Sequence, residues 1–209
     1  RKMWEWLFIC HALHERGLLA AGRRGLGFGV GREPLVALFA RLGCHIVATD
    51  LDPLRAQAAG WTGTDQYSGE AAGLNEHGLC EEPDFSERVR YRPVDMNELP
   101  ADLVGFDFTW SSCALEHLGT IEAGAAFVKN QMRAVKPGGA AVHTTEFNLS
   151  SDDATVDSGG TVLFRRRDID GLLEDLGDAG YIVKGNFTPG ETPAPRHVDV
   201  PPFSETHLR

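Results

Sequence analysis

Four glycines alternate with apolar residues in GLGFGVG, residues 25–31, and the run REPLVALFARLG follows. Bare backbone lets the main chain approach a ligand closely, and a helix start offers unpaired N–H groups. Gly27, Gly29 and Gly31 form G-x-G-x-G. The dinucleotide-oxidoreductase pattern G-x-G-x-x-G needs a glycine at 32, where Arg32 stands, so nicotinamide chemistry fails on spacing. Asp50 follows Gly31 by 19 residues and closes the run CHIVATD. A carboxylate there can accept both ribose hydroxyls of a nucleoside. Neighbouring Asp52 is the alternative. Asp95 in PVDMNELP offers an acceptor for an adenine amino group, and Met96 a surface for its ring.

These residues need elements to hold them. Residues 3–16 read as a helix closed by Gly17. RRGLGF is a strand entering the glycine turn. The next helix has Pro34 in its first turn and Gly43 at its end. Residues 44–50 form a buried strand by their β-branched, apolar content, and PLRAQAAG a short helix. Residues 61–87 read as irregular, too long for a simple connection. Strands are expected at 89–95, 106–112, 140–147 and 181–187, with helices at 123–135 and 168–180. The proline-rich TPAPRHVDVPPF is not helical. Alternating strands and helices imply an α/β fold, a doubly wound, mostly parallel sheet covered on both faces.

The 209 residues suit a single domain: a first helix over 1–17, a core over 20–187 and an extension over 188–209. The chain opens at Arg1 inside a helical pattern, which reads as part of a longer polypeptide. A net charge of -10 repels phosphate backbones, so nucleic acid is not an expected partner. No apolar run is long enough to span a membrane. Cys10, Cys44, Cys80 and Cys113 form no CxxC pair and fit no zinc spacing. They read as reduced thiols in a cytoplasmic protein.

GLGFGVG, IVATDLDP, VDMNELP, FDFTWSSCALEHL and AVKPGGAAVHTTEF, taken in order, resemble the motifs of class I S-adenosylmethionine-dependent methyltransferases. The resemblance runs from about residue 20 to 187. It implies a seven-stranded, Rossmann-like fold with S-adenosylmethionine across the C-terminal strand edge. It adds Leu51 and Ser112 to a cofactor set of Gly27, Gly29, Gly31, Asp50, Asp95 and Met96. Two departures stand out. The family often carries an acid two positions before the first glycine of G-x-G-x-G, and here that residue is Gly25. Glu33, or Trp4 and Trp6, would then hold the methionine end. The family's last, antiparallel strand is missing or truncated. A subgroup accompanying bacterial polysaccharide assembly is similar, which suggests a glycan hydroxyl or another small polar acceptor.

Methyl transfer to a hydroxyl needs alignment and a base. His117 is the first choice, since imidazole titrates near neutrality, and Glu146 lies at a strand end where sites form. His143 reads as a packed residue. Glu116, Asn148, Arg165 and Arg166 are candidates for gripping the acceptor, in a segment placed where the family carries a lid. The alternative for FRRRD is a solvated helix start capped by Asp168. A divalent metal on His117, Glu146, His197 and Asp199 is possible but not favoured, because Cys113 stands where a related subgroup's ExxEH motif has its first acid. N-methylation and a non-catalytic scaffold domain are the competing readings.

Overall fold

The computed structural model describes residues 2–64 and 67–185. The extension at 188–209, with His197 and Asp199, lies outside the described residues. The chain divides into two compact units, one of Lys2–Ala114 with Asn130–Thr144 and one containing Leu115–Lys129 and the chain from Thr145 onward.

The first unit holds a five-stranded, all-parallel sheet in the order β3-β2-β1-β4-β5. The strands are β1 (Arg24–Phe28), β2 (His45–Asp50), β3 (Val89–Pro93), β4 (Phe106–Ser112) and β5 (Val135–Thr144). Chain order reverses on either side of β1. This is the Rossmann-like arrangement of class I methyltransferases, whose switch point places ligands at the C-terminal ends of β1 and β4. One face of the sheet is covered by α1 (Lys2–His14), α2 (Leu35–Arg41) and α4 (Glu82–Arg88), whose Ile9, Leu13, Phe39 and Phe85 share a core with Ile46, Phe108, Trp110 and Val142. Phe39 meets Trp110 edge to face, with ring centroids 5.1 Å apart at 83°. Between β2 and β3 lies the short α3 (Pro53–Ala58).

Three elements differ from the sequence reading. The segment 61–87 contains α4, started by Pro83 in its first turn with Glu82 and Asp84 beside it. These are ordinary helix-start signals. Strand β5 begins at Val135, because the KPGG stretch bulges between the pairs Phe106↔Val135 and Phe108↔Ala140 instead of ending the ladder. A Cβ on Gly139 would lie 2.5 Å from the Asp107 carbonyl oxygen, so only glycine passes there. Strand β5 also stops at Thr144, which leaves Glu146 beyond it. Finally, residues 181–185 of the expected last strand are not in a strand, and 186–187 lie outside the described residues.

At the opposite end of the sheet Asp107 is an anchor. It accepts from Arg23 Nη1 at 3.1 Å, the Arg24 N–H at 2.8 Å and Lys136 Nζ at 3.2 Å, joining β1, β4 and β5. Burial alone would raise its pKa. These donors outweigh burial and hold the carboxyl below the ordinary carboxylate range.

The second unit carries α5 (Ile121–Gln131), which runs on into the first, and α6 (Arg166–Asp178). Bridges Thr120↔Ser158 and Phe147↔Phe164 tie its loops together. Gly124 allows the Phe164 ring against α5, since a Cβ would sit 2.7 Å from that ring.

Candidate cofactor site and acceptor residues

The glycine turn is built from backbone the sequence leaves bare. Gly29 and Gly31 have φ of 57° and 51°, the left-handed region that suits glycine. A Cβ on Gly29 would lie 2.9 Å from Ala114 Cβ and 3.5 Å from Met96 Sδ. The turn is pinned to β2 by Val30 N–H donating to the Thr49 carbonyl at 3.1 Å.

Asp50 sits at the end of β2 facing this turn. Its Oδ2 accepts the Gly31 N–H at 2.8 Å and its Oδ1 the Leu51 N–H at 2.8 Å. A carboxylate has about four acceptor positions, so two remain for a diol. Burial lifts Asp50 to about 6 against the pull of those two N–H groups. Asp52, the alternative, is the N-cap of α3, accepting from the N–H groups of Leu54 and Arg55. Leu51 is fixed through its carbonyl, which accepts from Tyr67 Oη at 2.9 Å. Asp95 follows β3. Its Oδ1 accepts the Asn97 N–H at 2.8 Å, and its Oδ2 pairs with Arg55 Nη1 at 2.5 Å. Met96 is buried beside Gly29. Ser112, at the end of β4, donates to Glu5 Oε2 of α1 at 3.2 Å.

The residues present suit an adenosyl cofactor: a bare turn, a carboxylate with acceptor positions beyond the two in use, and a buried methionine beside the turn. Gly25 is closed to an acid, since a Cβ there would meet the Phe108 ring at 2.4 Å and Ile46 Cδ1 at 2.9 Å. Glu33 is the buried acid of this turn, 6% exposed, with Trp110 Nε1 donating to its Oε1 at 2.5 Å. Trp4 is exposed and stacks on Phe8, and Trp6 packs into the core. Glu5, Arg55 and Tyr67 escaped the sequence reading. Each acts across tens of residues of chain or from a loop without a motif.

Cys113 directly follows β4 with φ of 46°, the only non-glycine among the described residues in the left-handed region. Its N–H is held by the Thr144 carbonyl at 3.1 Å. Such a backbone costs about 1–3 kcal/mol for a non-glycine residue. Cys113→Gly is therefore expected to keep or raise the melting temperature, while Cys113→Val lowers stability by about 1–2 kcal/mol in a denaturant titration. Equal stability of the two variants would show that this turn carries no strain.

The expected acceptor residues lie in the second unit. His117 Nδ1 is 2.9 Å from the Gly160 carbonyl and 3.2 Å from Thr161 Oγ1. Only an N–H can satisfy a carbonyl, so Nδ1 carries a proton and any acceptor role of the ring falls to Nε2. Glu116 is fully buried, and its Oε2 accepts from Thr145 Oγ1 at 3.1 Å. The Glu146 carbonyl accepts the Phe164 N–H at 3.3 Å. Asn148 turns its amide onto its own loop, donating to the Ala154 carbonyl and accepting the N–H groups of Ser150 and Ser151. Arg165 is bidentate with Asp168 at 2.8 and 3.0 Å, and Asp168 also accepts the Arg165 N–H at the start of α6. Arg166 pairs with Asp170 at 2.8 Å. An acidic acceptor would have to displace these carboxylates. In the first unit, His143 Nδ1 is 2.8 Å from Ser111 Oγ, and burial lowers its pKa to about 4. It is a neutral packing residue.

No match was found among curated protein sequences. Among solved structures, the chain is similar to the amino pentose methyltransferase CalS10 of Micromonospora echinaspora, involved in calicheamicin biosynthesis: 17% identity, 85% of this chain and 83% of that one, TM-score 0.56. It is also similar to the Burkholderia thailandensis 1,6-didemethyltoxoflavin-N1-methyltransferase: 20% identity, 84% and 66%, TM-score 0.52. The [4+2]-cyclase SpnF matches at 20% identity over 81% and 55%, TM-score 0.56. Likeness at this distance is likeness of fold. The chain spans about half the length of the first solved structures it matches, 46% and 59%. The methyltransferase domain family matches residues 26–143, more than half of the sequence. By that match, and by the sheet order and glycine turn described above, the chain belongs to the methyltransferase domain family.

Proposed function

We propose that the protein transfers a methyl group from S-adenosylmethionine to a hydroxyl of a small polar molecule or glycan. The cofactor supplies an electrophilic methyl on a sulfonium. The chain supplies grip and proton removal. Gly27, Gly29 and Gly31 give close backbone approach. Asp50 takes the ribose hydroxyls, with Leu51, Asp95, Met96 and Ser112 around the nucleoside. On the acceptor side His117 is the base with Glu146 as a second catalytic candidate, and Glu116, Asn148, Arg165 and Arg166 are the candidates for binding the acceptor.

The observation that carries the hydroxyl reading is the 2.9 Å contact of His117 Nδ1 with the Gly160 carbonyl, which directs any base role to Nε2. A hydroxyl must lose its proton as it attacks, and an imidazole with its lone pair on Nε2 can take it. An amine brings its own lone pair and needs no such group. In a screen of sugars and small alcohols against amines, scored by formation of S-adenosylhomocysteine, hydroxyl acceptors are expected to turn over. His117→Gln should then lower kcat by about 10²–10³-fold with cofactor affinity unchanged. Turnover of amines alone, indifferent to His117, would replace this reading with N-methylation.

A further inference from the structure

The glycine turn has an acid of its own, named above as one candidate for the methionine end and given no role in the proposed reaction. Glu33 lies two residues beyond Gly31, and its N–H donates to the Val30 carbonyl at 3.1 Å, so it is part of that turn. Its side chain folds back over the sheet to Trp110 of β4, whose indole also fills the space above Gly27. Only 6% of the residue is exposed. The charged and titratable groups that act on it come from three elements: Lys2, Glu5 and Cys10 of α1, Asp50 at the end of β2, and the indole N–H of β4. Burial lifts Glu33 to about 8, opposed by Trp110 and Lys2 and reinforced by Asp50 and Glu5. Burial therefore favours the protonated form of Glu33 in the free protein.

Accepting one indole N–H does not require an ionisable group, since an amide oxygen would serve. A carboxyl is needed where a cation arrives. The cofactor of the proposed reaction carries two positive centres on its methionyl arm, the sulfonium and the α-ammonium. The turn that would seat it is Glu33's own turn. We propose that Glu33 is the counterion of that cationic arm, and that cofactor uptake releases the Glu33 proton to solvent. The inference rests on the cofactor reading above. The balance is simple: the O–H bond of the carboxylic acid breaks, its electron pair stays on the carboxylate, and the proton goes to buffer. The incoming positive charge replaces the one that leaves.

The test is calorimetry of S-adenosylmethionine binding at pH 7.5 in buffers of different ionisation enthalpy. At that pH Asp50, lifted only to about 6, is already ionised and contributes little. Wild type is expected to release most of one proton per cofactor, and its affinity to rise nearly tenfold per pH unit from pH 6.5 to 7.5. Glu33→Gln should bind at least tenfold more weakly and release no proton. S-adenosylhomocysteine, which keeps the ammonium and lacks the sulfonium, tells which centre is paired. Proton release unchanged with it assigns the ammonium, and diminished release assigns the sulfonium. Wild-type binding without buffer dependence overturns the inference and leaves the cofactor reading standing. Proton release that persists in Glu33→Gln also overturns it. Failure of wild type to bind overturns both. If Glu33→Gln does not fold, the wild-type pH slope decides alone, and a flat slope overturns the inference.

Discussion

Asp50→Ala is expected to weaken S-adenosylmethionine binding by at least about 100-fold, measured by calorimetry. Each hydrogen bond to a charged acceptor is worth about 1.5–3 kcal/mol, and each 1.4 kcal/mol is a factor of ten in affinity. On the proposed reading the substitution removes both acceptors for the ribose diol. It also frees the Gly31 and Leu51 N–H groups, which now hold the turn in shape. Asp50→Asn keeps one carbonyl acceptor and should fall between. pH acts in the same direction. The group works as a carboxylate, and its folded pKa of about 6 means that affinity falls as pH drops through 6. An Asp50→Ala protein that binds as tightly as wild type would remove the cofactor from this turn.

Trp110→Ala should be the most destabilising single change in the sheet unit, by about 3–5 kcal/mol in denaturant unfolding. The side chain is fully buried and meets Phe39 and Phe108, with centroids 5.1 and 5.8 Å away. Its loss opens a cavity under the glycine turn and strips Glu33 of its indole donor. Trp110→Phe separates the two effects. It keeps most of the packing and removes the N–H, so a loss of about 1–2 kcal/mol is expected from the hydrogen bond. If both variants lose the same amount, packing is not what Trp110 contributes.

The fold was largely legible because local signals agreed with the tertiary pattern. Pro34 and Gly43 bracketed α2, and a β-branched, apolar run marked β2. Helix α4 was missed although Pro83 and its flanking acids announce it, because the surrounding glycines and charges masked a seven-residue helix. The start of β5 was missed because Pro137 and two glycines look like a stop, and only the neighbouring Asp107 carbonyl shows why the ladder can bulge and continue. In the candidate site, the glycine turn and the place of Asp50 at the end of β2 were readable from the sequence. Which of Asp50 and Asp52 faces the turn was not, since it depends on which carboxylate caps α3. The Glu33–Trp110 pair joins residues 77 apart, and no periodicity encodes it. The same holds for Arg165 and Arg166, whose sequence shows free cations and whose fold gives each a carboxylate partner.

The sealed space beside Gly25 constrains how this chain can vary over evolutionary time. Phe108 and Ile46 occupy the volume that any side chain at 25 would need. Positions 25 and 108 are therefore not independent. A homologous sequence that places a carboxylate at this position of β1 must carry a smaller residue opposite it on β4. A sequence that keeps the aromatic ring must keep the glycine. Co-variation between these two columns would mark the point where a lineage chose between an acid on the strand and an acid on the turn.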